Sequence, residues 1–245
     1  MGRFFNIWMR ELGICFLSPI AYVTMVIYLG LSGWAFMQGV ERNVGSDEPL
    51  QILLLASLFF LLPILVAVIT MRLFAEEKKS GTIETLMTAP VTEAEIVLGK
   101  YAGAIGFLII VIAPGVASLF LLALLSPAIG ITDIDMGALA AVCAILLLVS
   151  ALFVAVGLVV SLLSKNQIVA AMAGICVNGI ILAIGYMESL LPMHAGKFIS
   201  YMSIENHLLD FGRGSIDTRP VIFYASTTIF MLFTAIRLLG LRRWR

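Results

Sequence analysis

The chain has 245 residues, 61% apolar and 12% charged, with fifteen basic and fifteen acidic side chains and a mean hydropathy of +1.09. Average soluble domains carry about 25% charge and about 45–50% apolar residues. A single domain of this size cannot hide so much hydrocarbon in its own core, so part of it faces lipid and an ordinary soluble enzyme is excluded.

Residues 3–18 (RFFNIWMRELGICFLS) open with an amphipathic pattern. Arg3, Asn6, Arg10 and Gly13 recur every three or four positions, and Phe4, Phe5, Ile7, Trp8, Leu12 and Phe16 fill the rest. The pattern predicts an interfacial helix lying in the headgroup plane, with Arg3, Trp8 and Arg10 as its marker residues. No cleaved signal is read here, because the next apolar run is too long and Ser18-Pro19 precedes it.

Six stretches lack Asp, Glu, Lys and Arg altogether: 12–40, 49–71, 101–132, 136–164, 166–187 and 220–236. A bilayer core about 30 Å thick takes roughly 17–25 apolar residues in a helix, so each gap is one span. The spans are predicted near 20–40, 50–71, 100–125, 138–163, 168–188 and 220–240. Pro63 and Pro114 fall inside the second and third and should kink them. The fold class is therefore an all-α polytopic membrane protein, one transmembrane domain over 1–245. No phosphate-binding loop of the form G-x-x-x-x-G-K-[S/T] occurs, so no nucleotide-binding domain is present and energy must come from a partner or a gradient.

With six spans both termini lie on one side. That side gathers eleven basic residues: Arg3, Arg10, Arg72, Lys78, Lys79, Lys100, Lys165, Arg237, Arg242, Arg243 and Arg245. The other has Arg42, Lys197, Arg213 and Arg219. The excess predicts cytoplasmic termini in a multi-pass protein of the cell (inner or plasma) membrane.

Between spans two and three runs RLFAEEKKSGTIETLMTAPVTEAEIVLG, residues 72–99. The second helix should continue through Glu76-Glu77-Lys78-Lys79 and stop at Gly81. Thr82 can cap a short helix whose Ile83, Leu86 and Met87 share a face, and Pro90 ends it. Thr92 and Glu95 have capping-box spacing for the next helix. The segment reads either as a short helix offered to a cytosolic partner or as a solvated loop held by juxtamembrane charges.

On the outer side, 189–219 interleaves Phe198, Tyr201, Met202, Leu208, Leu209 and Phe211 with polar residues. Short helices packed on the bundle, a re-entrant-like hairpin, are expected. His194 and His207 lie thirteen residues apart, without the spacing of a helix-borne metal site, and no bound metal or cofactor is expected. Cys15, Cys143 and Cys176 are mutually distant and indicate no disulfide framework. Asn178 should bond a neighbouring helix. Lys100 and Arg237, at span ends, are expected to snorkel to the cytoplasmic surface. No catalytic constellation and no ion-coupling charge lies at mid-membrane depth. Gly99, Gly103, Ala102 and Gly106 offer a small-residue face for close helix approach.

The run from Phe74 to Thr92 (FAEEKKSGTIETLMTAPVT), closed by Val97-Leu-Gly-Lys100, resembles the coupling loop of ABC-2 type ABC-transporter permeases. Ser18 to Tyr22, the segment Tyr201–His207 with Phe211, Gly214, Ile216 and Asp217, and the ending from Arg237 to Arg245 are similar to the same family. The nearest likeness is to its gliding-motility and auxiliary-transport branch. The resemblance implies a six-helix permease half that pairs with a second copy or a related subunit and with cytosolic ATPase subunits. ATP and Mg would be bound by that ATPase, not by this chain. It also implies an interface helix at the N-terminus and a coupling helix near 82–90, with coupling roles for Glu76, Glu77, Lys78, Lys79, Gly81, Thr82, Glu84 and Pro90. No substrate-pathway residue and no nucleic-acid partner is implied. The competing reading is a membrane-embedded assembly subunit that anchors a complex without transport.

Overall fold

The computed structural model describes residues 2–43, 49–82, 91–129, 136–186, 202–215 and 217–243. These form ten helices: α1 Gly2–Leu17, α2 Pro19–Arg42, α3 Leu50–Phe60, α4 Leu62–Thr70, α5 Ala75–Ser80, α6 Glu93–Ile129, α7 Met136–Leu163, α8 Gln167–Tyr186, α9 Ile204–Gly212 and α10 Thr218–Arg243. There is no strand among the described residues. Among the described residues, five helices are long and apolar enough to cross a membrane, and α3–α4 adds a sixth if the bent pair counts as one span.

The bend between α3 and α4 is 40° and falls at Leu61, where Pro63 occupies the first turn of α4. Proline has no N–H to give and its ring displaces the preceding turn, so the helix breaks there. One turn earlier the Tyr28 hydroxyl donates to the Leu58 carbonyl at 2.8 Å, tying α2 to the bend. Pro114, by contrast, sits inside α6 without ending it. The 37 residues of α6 extend roughly 55 Å at 1.5 Å per residue, well beyond a 30 Å core. At its start the capping box forms as its spacing predicts. Thr92 N–H donates to Glu95 Oε2 at 2.9 Å, and Glu95 N–H to Thr92 Oγ1 at 3.3 Å.

Helix α7 is the axis of the bundle. In its apolar window 67% of residues are buried, against 17% in α2, α8 and α10. Those three helices turn most of their surface outward, with Val26, Trp34, Met172, Ile180, Ile229 and Phe230 among the exposed side chains. Asn178 of α8 is fully buried, and its Nδ2 donates to the Phe153 carbonyl of α7 at 3.4 Å. It bonds a neighbouring helix, as its position suggested.

The glycine face of α6 seats α1. A Cβ at Gly99 would lie 2.7 Å from Ile7 Cγ2, one at Gly103 2.7 Å from Glu11 Cβ, and one at Gly106 3.1 Å from Leu12. Only hydrogen at these positions lets the two backbones approach so closely. At the other end of the bundle α9 docks on α3, α7 and α8 by burying Ile204, Leu208 and Phe211. This is the described part of the predicted hairpin; residues 187–201, including His194, lie outside the described residues.

Candidate functional site: a buried ion cluster at the basic end

Arg10 of α1, Arg72 of the turn between α4 and α5, Lys78 of α5 and Lys100 of α6 lie at one end of the bundle. There Lys100, eight residues into α6, is 1% exposed. Its Nζ lies 2.7 Å from Glu77 Oε1 and 3.0 Å from Glu11 Oε1. Arg10 Nη2 is 3.0 Å from Glu11 Oε1 and 3.7 Å from Glu77 Oε1. The Phe74 ring centroid lies 5.3 Å from Lys100 Nζ, close enough for a cation–π attraction. Two cations and two carboxylates thus join α1, α5 and α6. A buried charge is tolerated when it is paired and hydrogen-bonded, which these contacts achieve.

This corrects the expectation for Lys100. It does not snorkel to the surface. Two carboxylates and an aromatic face inside the bundle offer its ammonium the solvation that water would otherwise supply. Arg237 does stay exposed, with its guanidinium 4.9 Å from the Phe233 centroid.

Helix α5 is fixed to α7 as well. The Ser161 hydroxyl oxygen accepts from the Phe74 and Ala75 N–H groups, each at 3.2 Å, and so satisfies donors that a helix start leaves free. Lys78 Nζ donates to the Leu162 carbonyl and to the Ser164 carbonyl at 2.9 Å, placing a cation on the negative end of α7. Gly81 then ends α5 at φ +72, the left-handed conformation that an unbranched glycine takes without steric cost. The Thr82 hydroxyl lies 2.8 Å from Ser80 Oγ and donates to the Glu77 carbonyl at 3.4 Å.

The Glu76–Lys79 run therefore divides in two. Glu77 and Lys78 point into the bundle and hold it, whereas Glu76 and Lys79 are exposed. Ile83, Glu84, Leu86, Met87 and Pro90 lie outside the described residues. In α1, Arg10 joins the cluster, Trp8 stacks edge-on against Phe5 at 5.3 Å, and the side chain of Arg3 lies outside the described part.

Three participants were missed from sequence: Glu11, Phe74 and Ser161. The signal for Glu11 was present. It is the acid of α1, it follows Ile7 and Trp8 on their helical face, and an acid on an apolar face requires a cation facing it. Beside the cluster lies a cavity of about 600 Å³ lined by α1, α2, α4, α5 and α6. Burial, and then the Glu11 carboxylate, push the Cys15 thiol on its wall up to about 11. The thiol is therefore protonated and poorly nucleophilic near neutrality. Among the described residues no three His, Cys, Asp or Glu side chains gather as a metal centre would need.

A bundle of long apolar helices with shorter helices docked at each end defines a multi-pass helical membrane protein. The family described as ABC-2 family transporter protein matches residues 9–185, and the chain belongs to it. It is thus a membrane component of an ABC transporter, distinct from the ATPase. No curated protein matches the chain in sequence.

Proposed function

We propose that the chain is the permease half of an ATP-driven exporter of the cell membrane, with both termini cytoplasmic, working as a pair with itself or a related subunit. A separate cytosolic ATPase, holding ATP and Mg, docks on residues 82–90 through Ile83, Glu84, Leu86 and Met87. The observation that carries this reading is the attachment of the segment just before them. Helix α5 is tied to α1 and α6 by Glu77–Lys100 and to α7 by Lys78 and Ser161. A displacement of 82–90 is passed to three helices, which a solvated loop would not require. The eleven-to-four division of basic residues supports the cytoplasmic placement, and the terminal motifs support the auxiliary-transport branch of the family.

The test is association with the ATPase and the hydrolysis it supports. Truncating buried interface anchors costs over about 1 kcal/mol, and hot spots about 2 or more. Leu86→Ala with Glu84→Ala should therefore weaken ATPase binding roughly ten- to a hundredfold, with membrane insertion unchanged. Unchanged association and hydrolysis would instead favour an anchoring subunit without transport.

A further inference from the structure

A second cavity, of about 480 Å³, runs between the α3–α4 pair, α8 and α9, away from the ion cluster. Thirteen of the fourteen residues that line it carry no polar side-chain atom, and the fourteenth is Glu205 of α9. Its α3–α4 wall extends from Ile52 to Ile64, roughly 18 Å of helix at 1.5 Å per residue, so a volume of this size forms a slot and not a chamber. Ile175, Gly179, Leu182 and Ala183 make the α8 wall, and their spacing puts them on one helical face. A Cβ at Gly179 would meet nothing within 4 Å, in keeping with open space in front of this face. The slot also opens sideways, because Phe60 is 75% and Ile64 49% exposed on the apolar flank of the bundle.

An apolar slot open to a bilayer takes up a chain, because an empty one forfeits dispersion contact along its walls. A hydrocarbon gains little by moving from lipid to an equally apolar wall. The preference among chains is therefore set by the head that meets Glu205. That carboxylate is exposed and forms no ion pair among the described residues. Arg213, the cation at the far end of α9, lies eight positions on, roughly 12 Å along the helix. We propose that the slot is a binding site for a single-chain amphiphile with a protonated amine head. Its chain lies along α3, α4 and α8, and its ammonium pairs with Glu205 at the α9 end. The volume is within the range of ligand pockets, about 300–1,000 Å³. A phosphate or carboxylate head brings like charge to Glu205, and a hydroxyl head brings none. The site lies apart from α5 and does not depend on docking of an ATPase.

The test is photolabelling of the full chain in phosphatidylcholine nanodiscs, with hexadecylamine carrying a diazirine in its chain as the probe. Labelled peptides, mapped by mass spectrometry, should come saturably from residues 52–64 and 175–183. Unlabelled hexadecylamine should compete about fivefold better than hexadecanol, the most that an exposed ion pair yields, and hexadecanoate should compete less well than either. Glu205→Gln should bring the amine down to the level of the alcohol. Gly179→Leu has room for its Cβ, fills the slot and leaves Glu205 in place. It should cut labelling of those segments about tenfold, as overpacking implies. Gly33→Leu, on the open face of α2, should leave labelling unchanged. Equal competition by amine, alcohol and acid would mean annular lipid only and would overturn the site. An amine preference that survives in Glu205→Gln would put the cation elsewhere and overturn the pairing. Full labelling in Gly179→Leu would overturn the slot as the chain track. Absence of saturable labelling would mean that a second copy covers the slot, and would overturn the site as well.

Discussion

Short helices dock at both ends of this bundle, and α1 and α9 do so by opposite chemistry. At the basic end α1 is held to α6 by close glycine contacts and by a cluster of four charges that includes Lys100. At the other end α9 is held by apolar burial and by neutral hydrogen bonds. Gln51 Nε2 donates to the Gly212 carbonyl at 3.3 Å, and His207 Nδ1 lies 2.9 Å from the Tyr224 hydroxyl. The acids of α9, Glu205 and Asp210, stay exposed. Neutral contacts can be lost one by one at modest cost. A charge cluster cannot, because removing one member strands the others in a poor solvent. The basic end is thereby suited to move as one piece, and the opposite end to yield gradually.

The strongest way to break this comparison is Lys100→Met. It leaves Glu11 and Glu77, whose side chains are 7% and 18% exposed, with only Arg10 between them. Breaking a buried pair typically costs about 3–5 kcal/mol. The denaturation midpoint in detergent should fall accordingly, and Lys100→Met with Glu77→Gln should recover part of the loss, since Arg10 can then neutralise Glu11. A single-variant loss no larger than that of a neutral hydrogen bond would erase the distinction between the two ends.

A smaller effect sharpens it. Gly103→Leu must place its Cβ 2.7 Å from that of Glu11, so α1 has to move away. Overpacking costs about 1–3 kcal/mol, and the change should appear both in thermal unfolding and in the fluorescence of Trp8, whose carbonyl faces Gly103. Fluorescence and stability unchanged from the parent would mean that α1 is held by its charges alone.

What could be read from sequence follows the range of the interaction. Span positions, the break at Pro63 and the Thr92–Glu95 box depend on neighbours within one or two turns, and each is found where local chemistry places it. Gly81 is a helix stop as well, but of the separate α5, because α4 ends at Thr70 and does not run on through Glu76–Lys79. The glycine face of α6 was legible as a site of close approach, but its occupant was not, because small residues specify a distance and not a partner. Lys100 shows the limit most clearly. A lysine near a span end can reach water or a carboxylate, and the carboxylates that hold it are 89 and 23 positions away in sequence. The apolar face proposed for docking, Ile83, Leu86 and Met87, lies outside the described residues and stands on its helical spacing.

The smallest expected effect lies at α9. In the unfolded chain His207 titrates near its ordinary 6.5; in the fold burial lowers that value, and Asp210 and Asp217 only partly oppose the shift. Below 6.5 the unfolded chain therefore binds more protons than the folded one, and stability rises with pH. The penalty is complete below the lowered folded value, shrinks as pH climbs towards 6.5, and is absent above it. Tyr224→Phe removes the hydroxyl and should cost about 0.5–1.5 kcal/mol above pH 7, the net worth of a neutral hydrogen bond. His207→Phe should remove the pH slope below 6.5 while leaving Lys100 and its carboxylates untouched. Unfolding midpoints of both variants across that range decide the matter. A slope that survives in His207→Phe would assign the pH response to another group. A Tyr224→Phe loss as large as that of Lys100→Met would show that the two ends are held equally hard.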